Sequence, residues 1–179
     1  PKDVQTFKTL YEGKKNTKKK NYYAPILNPS DQSISKLLEM MQVSSKPIFY
    51  IGGGVINSGK DSSKLLYKII KKTGFPCTQT LMGLGAFPTS DSQFLGMLGM
   101  HGTYEANLAM NKSDLLICVG ARFDDRITGK VSGFSPNSKK VHIDIDASSF
   151  NKSISVDHTI QGDIQKVLKK IYNLIEVRN

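Results

Sequence analysis

The 179-residue sequence has no Trp, two Cys, three His and three Arg. No eighteen-residue apolar run exists, and mean hydropathy is −0.29, which excludes a multi-span membrane protein. Cys77 and Cys118 lie within apolar stretches without a Cys-x-x-Cys spacing, and His101, His142 and His158 are too scattered for a zinc signature. Two buried free thiols in a reducing compartment are expected. The chain opens on Pro1-Lys2-Asp3-Val4-Gln5, with neither an initiator Met nor an apolar h-region. The expectation is a soluble piece of a longer polypeptide, without a signal peptide or membrane anchor. Apolar residues make up 39 % and charged residues 22 %, enough to bury one core of ordinary domain size.

The formal net charge of +10 invites a nucleic-acid reading, but its distribution argues against one. Residues 1–25 hold seven Lys against Asp3 and Glu12, so half of the excess sits in that stretch. Lys outnumbers Arg 22 to 3, whereas base and phosphate recognition favours the planar guanidinium. The run Lys14-Lys15-Asn16-Thr17-Lys18-Lys19-Lys20 has Tyr22 and Tyr23 nearby but no helix-turn-helix, zinc or RNA-binding signature. It reads as a solvated linker, with a polyanion-binding tail as the lesser alternative, and neither nucleic acid nor membrane is expected as a partner.

From residue 29 onward strand and helix signals alternate. Ser30 caps a helix over 31–42 with Ile34, Leu37, Leu38 and Met41 on one face. Pro47 to Ile51 is a short strand. Ser58 or Asp61 starts a helix to Lys72, stopped by Gly74. Phe75 to Thr80 is a second strand and Thr103 caps a helix across Tyr104 to Asn111. Asp114 to Val119 is the clearest buried strand, followed by Val141 to Asp146 and the weaker His158 to Gln161. Asp163 caps a last helix whose Ile164, Val167, Leu168, Ile171, Leu174 and Ile175 form an apolar stripe. This order predicts an α/β fold: an open, doubly wound, mostly parallel sheet with helices on both faces. Ligands are then expected at the carboxyl ends of the strands. No internal repeat is evident.

Four glycine-bearing or charged segments follow strand ends. The first is Ile51-Gly52-Gly53-Gly54-Val55-Ile56-Asn57-Ser58-Gly59. Glycine lets backbone approach a ligand, and the following helix N-terminus offers N–H groups to phosphate. It is not the G-x-G-x-x-G fingerprint, because Asn57 stands at the third glycine's position and no acidic residue follows about twenty positions on. The second runs from Thr80-Leu81-Met82-Gly83-Leu84-Gly85 to Gly99-Met100-His101-Gly102, with five Gly and three Met but no helix or strand pattern. So long a connection inside a compact domain is usually functional, and its apolar character suits a flat aromatic ligand. The third, Gly120-Ala121-Arg122-Phe123-Asp124-Asp125-Arg126, holds two of the three Arg. Guanidinium groups capture phosphate or carboxylate bidentately, and the neighbouring Asp can orient them. The fourth is His142-Ile143-Asp144-Ile145-Asp146, whose alternation puts the polar residues on one face and Asp144 where it can accept from a ribose diol. Each segment has a plainer reading: a tight turn, a buried connection, a surface ion-pair cluster, or solvent-facing carboxylates. Asp144 and Asp146 also admit a metal-dependent nucleotide-sugar transferase. The residues by themselves reach a dinucleotide-binding α/β domain and go no further.

Thr80 to Pro88, Phe94 to Asn107, Val119 to Arg126 and His142 to Asp146 together closely resemble the central domain of the acetolactate synthase (acetohydroxyacid synthase) large catalytic subunit family. That family lies within the thiamine-diphosphate enzymes, and the likeness covers about residues 30–177. The Met-Leu-Gly-Met-His-Gly and Arg-Phe-Asp-Asp-Arg strings carry most of the specificity. The resemblance implies a three-domain enzyme that decarboxylates pyruvate and joins the hydroxyethyl unit to a second 2-keto acid. The products are 2-acetolactate or, from 2-oxobutyrate, 2-aceto-2-hydroxybutyrate, in branched-chain amino-acid biosynthesis. Thiamine diphosphate and Mg²⁺ are held mainly by the outer domains, and FAD by the central one. Residues 1–28 then read as the end of a preceding domain with a Lys-rich linker, and 29–179 as the central FAD-binding domain.

Carried over by position, the resemblance puts Gly52 and Gly53 near the flavin nucleotide's phosphates. Thr80, Leu81, Leu98, Gly99, Met100 and His101 line the extended cofactor. Gly120, Arg122, Asp124, Arg126 and Ile127 continue that surface, with Asp144, Ile145 and Asp163 near the adenosine half. Met100, Asp125 and Arg126 border the substrate channel, where Arg126 holds the second keto acid's carboxylate; no metal ligand is assigned. The family's Pro after His-Ile-Asp-Ile-Asp is replaced by Ala147, which puts the local turn in doubt. The family's thiamine-activating Glu and its Gly-Asp-Gly…Asn metal motif belong to other domains, and Gly162-Asp163-Ile164 does not supply the latter. The 179 residues alone are therefore expected to be inactive and to hold FAD weakly or not at all. The resemblance further implies a cytoplasmic or plastid-stroma location and a homo-oligomer with a regulatory small subunit. A non-catalytic flavin- or nucleotide-binding module stays open as an alternative.

Overall fold

The computed structural model describes residues 5–10 and 27–175. Most of the 1–28 stretch, including the Lys-rich run, lies outside the described residues.

Six parallel strands form one sheet in the order β3-β2-β1-β4-β5-β6. They are β1 (Pro47–Ile51), β2 (Cys77–Gln79), β3 (Phe94–Met97), β4 (Leu115–Val119), β5 (Lys139–Asp144) and β6 (His158–Gln161). Among residues 27–175 the α-helices are α1 (Asp31–Val43), α2 (Gly53–Asn57), α3 (Lys60–Thr73), α4 (Tyr104–Lys112), α5 (Asp125–Thr128) and α6 (Ile164–Leu174). Helices α1, α3 and α6 cover one sheet face through Ile34, Leu37, Leu66, Ile69, Ile70, Val167, Leu168 and Ile171. On the other face Met110 of α4 packs with Ile48, Tyr50, Leu116, Cys118 and Phe123. The doubly wound parallel sheet is therefore the one expected. Every residue of β1 and β4 is buried, which is why both read as unbroken apolar runs.

Local chemistry fixes the helix ends. The Ser30 hydroxyl accepts from Ser33 N at 3.1 Å, that of Thr103 from Ala106 N at 3.2 Å, and the Asp163 carboxylate from Lys166 N at 3.1 Å. Gly74 closes α3 in the left-handed region at φ 72°, its N–H donating to Ile70 O.

Four expectations need correction. The stretch from Thr80 to Gly102 is not all loop, because Phe94–Met97 is the edge strand β3. Its signal is hidden by Gly96, at φ 100°, where the register against β2 shifts. The turn after β1 contains an additional short helix, α2, separated from α3 by Gly59 at φ 103°. Strand β5 begins at Lys139 and ends at Asp144, so Ile145 and Asp146 lie beyond it; Asp146 caps the turn 147–149 by accepting from Ser148 N. Leu174 is exposed rather than part of the inward stripe, while Ile175 is buried. Among the described residues no helix is long and apolar enough to cross a membrane.

Candidate functional site

In the order 3-2-1-4-5-6 the chain runs outward from β1 through β2 to β3, then crosses back to β4 on the other side of β1. Crossovers therefore part above the carboxyl ends of β1 and β4 and leave a crevice there. The structure has such a crevice, with a volume of about 1040 Å³. That lies just above the range of about 300–1,000 Å³ usual for ligand pockets. It runs from Thr80, after β2, to Asp163, after β6. Four inter-strand gaps separate those tips, an extent of about 19 Å, which suits an extended ligand.

The glycines beside the crevice are there first for each other. A Cβ on Gly52 would lie 2.1 Å from Gly120 O, and one on Gly54 2.7 Å from Gly120 Cα. The chains after β1 and β4 interlock: Gly52 N donates to Val119 O and Gly54 N to Gly120 O, each at 2.9 Å. Gly120 itself turns at φ 58°. Two of the amide groups expected to face a phosphate are thus committed to the neighbouring chain. Gly53, Gly54 and Gly120 line the crevice; Gly52 is buried behind them.

Arg122, Asp124, Asp125, Arg126 and Ile127 form one wall. Arg122 Nη2 donates to Asp124 Oδ2 at 3.0 Å, and Arg126 Nε stands 3.9 Å from Asp125 Oδ2. All four charged side chains are at least half exposed, so these pairs contribute little to stability and are free to exchange for a ligand's anionic group. Asp144 at the β5 tip, Ile145 just beyond it, and Asp163 also line the crevice. Burial pushes the Asp144 carboxyl above its ordinary range despite an accepted bond from Asp146 N at 2.9 Å. Asp163 is committed to structure, accepting from Ser58 Oγ at 2.9 Å as well as capping α6. Leu81 and Met82 supply an exposed apolar shelf at the β2 end.

Leu98, Gly99, Met100 and His101 lie outside this lining. Leu98 is buried in the second core cluster, while Met100 and His101 are exposed beyond the Arg126–Ile127 segment. Gly99 explains that placement: its own Cβ would meet Arg126 O at 2.9 Å, and Met100 N donates to the same carbonyl at 3.1 Å. Sequence reading missed Tyr50, Gly54, Ile56, Asn57, Ser58, Met82, Ala121 and Ile164. The third glycine of Gly52-Gly53-Gly54 was the available sign for Gly54; Ile56, Asn57 and Ser58 follow the fold of α2, and the others come from β1, the turns after β2 and β4, and the start of α6. Among the described residues no three His, Cys, Asp or Glu side chains are grouped to hold an ion, at Asp144 and Asp146 or elsewhere.

Fold and crevice define a doubly wound α/β domain with an elongated crevice along its strand tips. Residues 34–171 match the family model for the thiamine pyrophosphate enzyme central domain, and the chain belongs to that family. It is 42 % identical over 177 residues to the acetolactate synthase large subunit of Haemophilus influenzae, covering 98 % of this chain and 30 % of that protein. Against the acetolactate synthase isozyme 3 large subunit of Escherichia coli, identity is 40 % over 153 residues, 86 % of this chain and 26 % of that protein. A chloroplastic acetolactate synthase of Nicotiana tabacum is 38 % identical over 177 residues, 98 % of this chain and 26 % of that protein. The chain thus spans about a third or less of the length of these relatives.

Proposed function

We propose that this chain is the FAD-cradling central domain of an acetolactate synthase. The reading rests on one observation: a single crevice carries exposed Arg122 and Arg126, a half-buried Asp144 and an apolar shelf along the same line of strand tips. A flavin dinucleotide needs those chemistries together, namely cations for its pyrophosphate, a carboxylate for a ribose diol and an apolar surface for a flat ring. Arg122 and, through it, Asp124 face the phosphates. Asp144 and Ile145 take the adenosine half, Leu81 the flavin half, and Arg126 with Asp125 stands where a keto-acid carboxylate enters.

In the complete enzyme, thiamine diphosphate with Mg²⁺, held mainly by other domains, supplies the chemistry that removes CO₂ from pyruvate and transfers the remaining two-carbon unit. The acceptor is a second pyruvate or 2-oxobutyrate. Residues 1–28 close a preceding domain and link it to the central domain at 29–179. Assembly with further copies, with a small subunit, and in the cytoplasm or plastid stroma follows from the same relationship. FAD titration of the ¹⁵N-labelled chain tests the cofactor role. Amide shifts are expected at 53–58, 80–82, 120–127 and 144–145, with affinity weaker than micromolar. Shifts confined to other surfaces, or none at millimolar FAD, would falsify the reading.

A further inference from the structure

Directly beneath the crevice three buried polar side chains stand side by side on adjacent strands. In the sheet register Tyr50 of β1 pairs with Cys118 of β4, and Cys118 with His142 of β5. All three are fully buried and project to the same face. Their polar atoms converge on two successive carbonyls of the turn after β4. Tyr50 OH donates to Arg122 O at 3.2 Å, Cys118 Sγ donates to Ala121 O at 3.2 Å, and His142 Nε2 lies 2.8 Å from that same Ala121 oxygen. A carbonyl only accepts, so Nε2 carries the ring proton. Phe123 and Phe150 hold the imidazole edge-on, with centroids at 5.2 and 5.0 Å, and Nδ1 has no hydrogen-bond partner among the described residues.

We infer that Tyr50, Cys118 and His142 form a buried donor row that sets the Ala121–Arg122 turn and thereby positions Arg122 and Asp124 in the crevice. The peptide units are planar and trans, so pinning the carbonyls of Ala121 and Arg122 inward turns the N–H groups of Arg122 and Phe123 the other way. The buried polar atoms that an aliphatic core lacks are thus explained by the turn they hold. His142 is a positioning residue that acts through backbone rather than by touching a ligand. Its consequence for nucleotide affinity rests on the FAD reading, whereas its hold on the turn does not.

The test uses the full ¹⁵N-labelled chain, with FAD as the probe. Histidine ring spectra are expected to show His142 as the Nε2–H tautomer, and an Nδ1–H tautomer overturns the inference. H142Q places an amide N–H near the position of Nε2 and is expected to keep FAD affinity close to that of the parent. H142N reaches only the position of Nδ1, and a loss of about tenfold is expected, the equivalent of one buried hydrogen bond. Equal weakening by both would reduce the row to packing. Y50F removes one hydroxyl, and it keeps the test decisive if the His142 variants do not fold. Faster hydrogen exchange at the Gly54 and Gly120 amides, confined to this corner, is expected of it; unchanged exchange there counts against the row. If the parent chain shows no FAD binding, the cofactor reading fails, while tautomer and exchange still decide the row.

Discussion

The two faces of this sheet are built differently from the same strands. Toward α1, α3 and α6, the central strands present Phe49, Ile51, Leu115, Ile117, Val119, Val141 and Ile143, all aliphatic or aromatic. Toward α4, they present Ile48, Tyr50, Leu116, Cys118 and His142, so polar atoms are interleaved with apolar ones. The first face is stabilised mainly by burial, with the buried Gln79 of β2 as its polar exception, its Nε2 donating to Phe87 O at 3.0 Å. The second must satisfy buried donors, and it does so by spending them on the turn that frames the crevice. The difference assigns stability chiefly to one face and the shape of the site to the other.

Ile117→Ala bears on that division most heavily. It empties a fully buried position on the aliphatic face and is expected to lower unfolding free energy by about 2–5 kcal/mol, read by denaturant titration. The amide shifts of 120–127 should change little; a large disturbance there would erase the distinction between the faces. Gly52→Ala comes next, because its Cβ would lie 2.1 Å from Gly120 O, where only backbone can yield. A loss of about 1–3 kcal/mol is expected from such overpacking, together with altered Gly120 and Ala121 resonances.

Acid titration sharpens the comparison through His142. Burial holds its imidazole below the ordinary value of 6.5, outweighing the bond to the Ala121 carbonyl and the nearby Asp144. The unfolded chain therefore binds the proton first. The neutral ring's contribution to stability is complete above about pH 6.5 and declines as pH falls toward the lower folded value. Asp144, with its carboxyl raised by burial, works in the opposite sense. Thermal midpoints between pH 7 and 5 should fall in the parent and fall less in H142Q; equal slopes would remove His142 as the cause. The smallest expected effect on stability is that of Arg122→Lys, at an exposed pair. Its thermal midpoint should match the parent's, while FAD binding weakens through loss of the planar fork. A marked drop in midpoint would mean that the wall of the crevice carries the fold.

Most of the fold was legible because its signals are local. The caps Ser30, Thr103 and Asp163, the stop at Gly74 and the apolar runs of β1 and β4 each declare themselves within a few residues. Strand β3 did not, because an edge strand of four half-buried residues with a left-handed glycine in it has neither alternation nor a continuous apolar run. In the site, Arg122, Asp124, Arg126 and Asp144 stood out as charged groups at or after strand ends, and all of them line the crevice. Met100 and His101 carry the resemblance to the family equally well, and both are exposed beside the Arg126–Ile127 segment, where Met100 N donates to Arg126 O.

The amino-acid sequence by itself determined the alternation of strand and helix, the parallel sheet and the placing of glycine at strand ends. Each of these follows from periodicity, capping and backbone freedom over short distances. Only the tertiary structure decided that Gly52, Gly54 and Gly120 exist for one another, and that Tyr50, Cys118 and His142 meet at one turn. Those partners lie far apart along the chain, and what joins them is strand order and register, which no local pattern encodes.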